Sequence, residues 1–380
     1  MKYIENIFIF FISLLVGLLL CELGSRIFLD PVDYLSPTMV RDNIMGIAIP
    51  PESGGHDEWG FRNRKVPASS DIVALGDSHT YGNGAKMNES WPHVLGSLTR
   101  ESVYNLGLGG YGPNQYYYLL NNKAIGLKPR IILCGIYLGD DFDNAFEITY
   151  GLDHWKYLRG IVLNDNSTLW DIWEKQSNHV SWNKQIRNWL SKHSIIYRVL
   201  VHGLFDKFKG EMQIKAASGT KNTSTLLIKE KNIQEAFLPK SVLKGLNQEN
   251  QNVREGMRIT LHLIQEMNML CKRQNIRFVV AIIPTKESSF SEYLENNYEI
   301  PLGEFNEKVI ENERIAKKKM LSYLRNSNIE YIDLLPIMQR SIKRDKIYLN
   351  SAVDMHPNKN GYRVMAEEIA RYITKNELQN

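Results

Sequence analysis

The sharpest contrast between apolar and polar positions lies at the amino terminus. From Asn6 to Cys21 no residue is charged, and Ile7 to Leu20 is apolar apart from Ser13 and Gly17. With Ile4 and Leu23 at its margins, the run approaches the ~20 residues that a helix needs to cross about 30 Å of hydrocarbon. A stretch that is apolar all round and terminal makes a poor core helix. A cleaved signal peptide would use Lys2 as its basic region, but the exit Cys21-Glu22-Leu23-Gly24-Ser25-Arg26 offers no small-x-small cleavage site. A lipoprotein signal would need Gly or Ala where Leu20 precedes Cys21. Residues 1–30 are therefore expected to form an uncleaved membrane anchor. A short tail before a large domain predicts that the domain lies outside the cytoplasm.

Next comes a lead-in, 31–69, rich in Pro, Gly and Asp, with Trp59-Gly60-Phe61-Arg62 as an apolar cluster expected to pack on the domain. Short apolar runs then alternate with segments of helical spacing. Asp71–Leu75, Val103–Leu106, Arg130–Leu138, Ile276–Pro284 and Ile329–Leu334 read as buried strands. Ser90–Arg100, Pro113–Ile125, 252–274, Glu304–Leu324 and Asn358–Thr374 read as helices, the second with Pro at its start. Strands buried on both faces and spaced by helices predict a parallel five-stranded sheet in a doubly wound, three-layer α/β/α domain. Ligands of such a domain sit at the carboxyl ends of its strands.

The alternation stops between 151 and 250. Trp155, Trp170, Trp173, Trp182 and Trp189 fall here, followed by helical spacing from Ile186 to Phe208 and a Lys-rich polar stretch, Lys209–Lys231. This reads as a mostly helical inserted lid with a flexible link, dividing one domain into 70–150 and 251–380. The tryptophans pack a small subdomain or line a site, and the Lys-rich link is a solvated segment or an approach to anionic headgroups.

Composition narrows the picture only a little. A chain of 380 residues, 43% hydrophobic and 23% charged, is neither disordered, collagen-like nor polytopic. The balance of 46 Lys+Arg against 42 Asp+Glu, net +4, is too small and too interspersed for a nucleic-acid binder. The three cysteines, Cys21, Cys134 and Cys271, lie too far apart for a disulfide framework or a C-x-x-C metal site and are expected to be buried small apolar groups.

The candidate chemistry lies after the strands. Gly76-Asp77-Ser78-His79-Thr80 follows the first strand, where the start of a helical turn suits either a nucleophilic serine or a helix cap. The hydrolase elbow G-x-S-x-G is absent, since Thr80 takes the place of its second Gly. Gly107, Gly109 and Gly112 after the second strand formally match G-x-G-x-x-G, but they follow the wrong strand for a dinucleotide site. An acidic turn, Gly139-Asp140-Asp141-Phe142-Asp143-Asn144, follows the third strand, and Asp354-Met355-His356 precedes the last helix. His356 can act as base for Ser78 if folding joins the loops, with Asp354 orienting the imidazole. A hard-cation phosphoesterase site would instead use Asp77, His79, Asp140, Asp141 and Asp143.

Taken together, Gly76-Asp77-Ser78, Asn105-x-Gly107-x-x-Gly110, Gly139-Asp140-Asp141 and Asp354-x-His356 resemble, in order, four blocks of the SGNH (GDSL-type) hydrolase family. Gly60-Phe61-Arg62, Gly109-x-Tyr111-Gly112-Pro113-Asn114-Gln115 and Ile283-Pro284-Thr285-Lys286 are similar to its membrane-anchored bacterial members. The resemblance covers Trp59 to the end without the insertion. It implies a flavodoxin-like fold and ester chemistry without a cofactor or metal. Ser78, His356 and Asp354 would be catalytic, and Ser78, Gly110 and residue 140 would form the oxyanion hole. The usual D-x-x-H is D-x-H here, with Val353 at the family's Asp position. Asp140 replaces an Asn that would donate to the oxyanion, and an ionised carboxylate only accepts. Three outcomes follow: burial near Asp141 and Asp143 neutralises Asp140, Asn144 or Asn114 donates instead, or activity is weak.

The expected function is hydrolysis of an acetyl or short acyl ester on an extracytoplasmic glycan or lipid, with a small-molecule or glycan substrate, the membrane as partner and no nucleic acid. An O-acyltransferase acting on an exported polysaccharide, and a catalytically silent glycan-binding or assembly protein, are the alternatives.

Overall fold

The computed structural model describes residues 2–162, 182–201, 227–230, 233–237, 239–296, 304–349 and 354–377. Helix α1 (Lys2–Phe28) carries the terminal apolar run and turns it outward, with Phe8, Phe10 and Leu20 all more than half exposed. It is long and apolar enough to cross a membrane. Cys21 is exposed on it, contrary to expectation, because a helix apolar on every side has no core of its own; Cys134 and Cys271 are buried.

The lead-in contains helix α2 (Pro31–Tyr34) and an antiparallel hairpin, β1 (Val40–Asp42) with β2 (Gly46–Ala48). Then follow β3 (Ile72–Leu75), α3 (Ser78–Tyr81), α4 (Trp91–Thr99), β4 (Val103–Asn105), α5 (Pro113–Leu119), β5 (Ile131–Tyr137) and α6 (Asp141–Gly151). The interrupted region holds α7 (Trp182–His193), α8 (Ile195–Leu200), the hairpin β6 (Leu227–Glu230) and β7 (Ile233–Ala236), and α9 (Pro239–Leu246). The chain continues with α10 (Gln251–Arg273), β8 (Arg277–Ile283), α11 (Lys286–Asn296), α12 (Glu304–Asn326), β9 (Glu330–Asp333), α13 (Leu335–Ile342) and α14 (Lys359–Glu377).

The central sheet has the order β4-β3-β5-β8-β9, with every neighbouring pair parallel. Among its own five strands this is 2-1-3-4-5, the flavodoxin-like order, and the winding reverses between β3 and β5. Successive strand residues serve opposite faces. Val73, Ile132 and Val280 join Tyr116 of α5, Ile264 of α10 and Met320 of α12 in one core. Ala74, Leu133 and Val279 join Trp91 of α4, Phe290 of α11, Met338 of α13 and Tyr362 of α14 in the other. These two cores make the three layers that the apolar runs predict.

Local departures have local causes. The acidic run after β5 opens a helix instead of forming a turn, since Asp141 and Asp143 occupy the first turn of α6, where the helix dipole favours carboxylates. The expected helix from Ile186 to Phe208 breaks at Ser194, whose side chain caps α8 by accepting from the Tyr197 N–H. Its last residues, Trp170, Trp173, Val353 and most of the Lys-rich stretch lie outside the described residues, although β6 falls in that stretch. Trp155 is a core residue, buried with its Nε1 donating to the Ile44 carbonyl at 2.8 Å.

Candidate active site

The turn after β3 is built by Asp77, which caps α3 by accepting from the His79 N–H at 2.9 Å, so that Ser78 begins the helix at the sheet's carboxyl edge. Across from it, His356 brings Nε2 to 2.8 Å from Ser78 Oγ. On the other side of the ring, Nδ1 lies 2.7 Å from Asp354 Oδ1, which also accepts from the His356 backbone N–H at 2.9 Å. A carboxylate at Nδ1 requires the proton there, leaving Nε2 to accept from Ser78. Burial pushes the Asp354 carboxyl up, but hydrogen bonds and charge from His356, aided by Lys286, outweigh it and hold it below its ordinary value. The D-x-H spacing is therefore long enough to orient the imidazole.

A second Asp–His pair lies beneath the first. His79 Nδ1 is 3.1 Å from Asp77 Oδ2, and its ring stacks on Tyr137 at 3.9 Å and tilts against the His356 ring at 4.7 Å. Burial lowers the pKa of His79, outweighing the Asp77 charge and hydrogen bond that raise it. Asp77 is held below its ordinary value because His79 outweighs the cost of burial.

Asn105 ties the second loop to the first. Its side chain donates to the Thr80 carbonyl at 2.8 Å and accepts from the Gly107 N–H at 2.8 Å. A Cβ on Gly109 would stand 3.5 Å from that of Ser78, so this loop lies against the serine, with Gly110 following at φ +81°. In the third loop, burial first, then the charges of Asp77, Asp143 and Glu147, push the Asp140 carboxyl well above its ordinary value. Its Oδ1 is buried without a partner. Asp140 and Asp141 also act on each other, the Asp140 charge adding to the burial that raises Asp141, whose side chain accepts from Tyr116 Oη at 2.7 Å and the Tyr137 N–H at 2.9 Å. Asn114 is no substitute donor, being buried with its Nδ2 on Thr149 Oγ1 at 3.0 Å. Asn144 Nδ2 is turned to the Tyr111 carbonyl at 3.4 Å.

No known family profile and no curated protein matches the chain in sequence. Among solved structures it is similar to a Desulfitobacterium hafniense protein assigned to the G-D-S-L lipolytic family, at 14% identity over 79% of this chain and 97% of that one, with a TM-score of 0.39. It is also similar to a catalytic mutant of an acetylxylan esterase from Geobacillus stearothermophilus, at 10% identity over 80% and 94%, TM-score 0.37. A member of the G-D-S-L lipolytic family from Veillonella parvula matches at 11% over 80% and 97%, TM-score 0.35.

The acidic groups weighed as metal ligands are otherwise engaged: Asp77 with His79, Asp141 with Tyr116, and Asp143 with Lys244 Nζ at 2.8 Å. Among the described residues no three His, Cys, Asp or Glu side chains are grouped to hold a metal ion. A cleft of about 910 Å³ opens beside His356 and Asp354, walled by the lead-in at Tyr34, by Asn83, Lys86 and Glu89 after α3, and by Arg198 of α8. Its floor is held by Arg62, buried, which donates to the carbonyls of Gly82 and Ala85 and to Asp33 Oδ1, each at 2.9 Å. Sequence reasoning singled out Arg62 as part of an apolar cluster and of a segment shared with the family it resembles, with no role for its side chain. It weighed His79 only as a metal ligand, for want of a sign that its neighbour would be a second imidazole.

Proposed function

We propose that this chain is a serine esterase of the SGNH type, anchored by α1 with its catalytic domain outside the cytoplasm. The observation that carries the reading is the unbroken line from Ser78 Oγ through His356 to Asp354, with spacings of 2.8 and 2.7 Å, at the edge where the sheet reverses its winding. His356 takes the Ser78 proton as Oγ attacks the ester carbonyl. Collapse of the tetrahedral intermediate expels the alcohol, which leaves with that proton, and water then releases the acyl group by the same path. The Ser78 and Gly110 N–H groups receive the oxyanion. Asp140, kept neutral, adds an O–H where an anion would oppose the developing charge, and one such donor is worth about 10²–10³ in rate.

The cleft beside His356, lined by Asn83, Lys86, Glu89 and Arg198 together with apolar side chains, has the volume and the polar groups to take a bulky, hydroxylated leaving group. It equally supports transfer of the acyl group to a glycan hydroxyl, which is the second reading. Purified full-length protein should turn over p-nitrophenyl acetate and lose that turnover in Ser78→Ala; unchanged turnover in the variant would refute the mechanism. Faster consumption of the ester when an oligosaccharide is added, with acylated sugar as product, would assign transfer over hydrolysis.

A further inference from the structure

Helix α7 carries an apolar stripe that none of the described residues covers. Trp182, Ile186 and Trp189 recur at spacings of four and three, which places them on one face, and they are 73%, 44% and 60% exposed. The His193 ring stacks on Trp189 at 5.0 Å and extends the stripe. Lys184, Arg187 and Lys192 lie off it, the first two exposed. Tryptophan on one face and Lys/Arg on the rest is the pattern of a helix lying in a membrane interface.

The position of α7 is set by α1. Glu22, the first charged residue after the uncharged run, accepts from Ser194 Oγ at 2.9 Å and from the Ile195 and Ile196 N–H groups at 3.1 Å each. Arg26 Nη2 donates to the His193 carbonyl at 2.7 Å. The end of α7 is thus bonded to the level of α1 at which charge first appears, which is where a spanning helix leaves the hydrocarbon.

We infer that α7 lies in the plane of the bilayer surface beside α1, with Trp182, Ile186 and Trp189 in the headgroup–acyl boundary and Lys184 and Arg187 toward anionic headgroups. The inference rests on the reading of α1 as an anchor. Its consequence is positional: α8 follows α7 directly and lends Arg198 and Val199 to the wall of the cleft beside His356, so the cleft is held at the membrane surface.

The test uses the full chain in phosphatidylcholine vesicles, with and without phosphatidylglycerol, whose acyl chains are brominated near the headgroup. Bromine should quench part of the tryptophan emission, and Trp182→Ala/Trp189→Ala should lose at least half of that quenched part while keeping p-nitrophenyl acetate turnover. Lys184→Glu/Arg187→Glu should lower quenching only in the vesicles containing phosphatidylglycerol. Equal quenched emission in wild type and the tryptophan variant would overturn the inference, as would dimers that this variant no longer forms, which would assign the stripe to a second copy. Alkaline carbonate separates the two readings. Release of the chain would overturn the anchor and the inference with it, whereas retention with equal quenching would overturn the placement of α7 alone.

Discussion

His356 Nε2 stands 2.8 Å from Ser78 Oγ although 278 positions separate them in the chain. The serine leaves the first core strand and the histidine precedes the last helix. What joins them is the packing of α14 on α4, where Tyr362 and Ile369 share a core with Trp91 and Leu95. Tyr362 also donates through its hydroxyl to the Asn83 carbonyl at 2.8 Å, bringing the segment before α14 over the end of β3.

The orientation of that ring depends on Asp354. Asp354→Asn should lower kcat about 10²–10⁴-fold with little change in KM, since the amide no longer holds the required tautomer. The Asp354 side chain is 35% exposed, so the melting temperature should hardly move. Steady-state kinetics beside a thermal melt checks both, and an unaltered kcat would remove Asp354 from the mechanism.

Asp140 makes a pH-dependent prediction. Burial and the charges of Asp77, Asp143 and Glu147 raise its carboxyl well above the ordinary value, and the O–H is lost as pH rises through that raised value. The wild-type rate should therefore fall on the alkaline side. Asp140→Asn, which donates at every pH, should be near wild type at pH 6 and exceed it increasingly above. A rate profile over pH 5–10 decides; a variant slower at every pH would show that the carboxyl group acts in some other way.

Gly245 of α9 ties the interrupted region to the oxyanion side. A Cβ there would stand 2.4 Å from the Gly139 carbonyl oxygen and 3.3 Å from Asp140 Cα. Gly245→Ala should displace one or the other, costing roughly 1–3 kcal/mol of stability and lowering kcat by about tenfold or more if the loop is what yields. Gly126→Ala, whose Cβ meets nothing within 4 Å, is the control. Parallel kinetics and melts of the two variants would show whether the loop tolerates the change.

Glu287 is buried with neither carboxylate oxygen partnered. Burial pushes it up to about 7, against about 4.3 in an unfolded chain. The stability tied to its proton is complete below about pH 4 and is lost as pH rises through 7. Glu287→Gln should therefore gain roughly 2–4 kcal/mol over wild type at pH 8 relative to pH 4. Denaturant titrations at both pH values measure the difference; an equal effect at both would mean that the carboxyl is not neutral in the fold.

Much of this molecule is legible in local pattern. The five apolar runs became the five parallel strands, because strands buried on both faces must be apolar throughout. The terminal run became one exposed helix, and of the residues singled out at the strand ends Ser78, His356 and Asp354 come together in the fold. Short elements were not legible: α13 and the β1–β2 hairpin are too brief to show a period. Partners distant in sequence decided the rest. Asp140 is an ordinary aspartate in the chain, but in the fold burial first, and then the charge of Asp77 at the end of the neighbouring strand, push its carboxyl well above the ordinary value. Asn114 looked like a spare donor until α5 turned it toward Thr149. The capping of α8 by Glu22 across more than 170 residues, which aligns α7 with α1, has no trace in either segment. Periodicity records which face of an element avoids water; which charges end up together is decided by sheet order and helix packing, where burial sets protonation and contact.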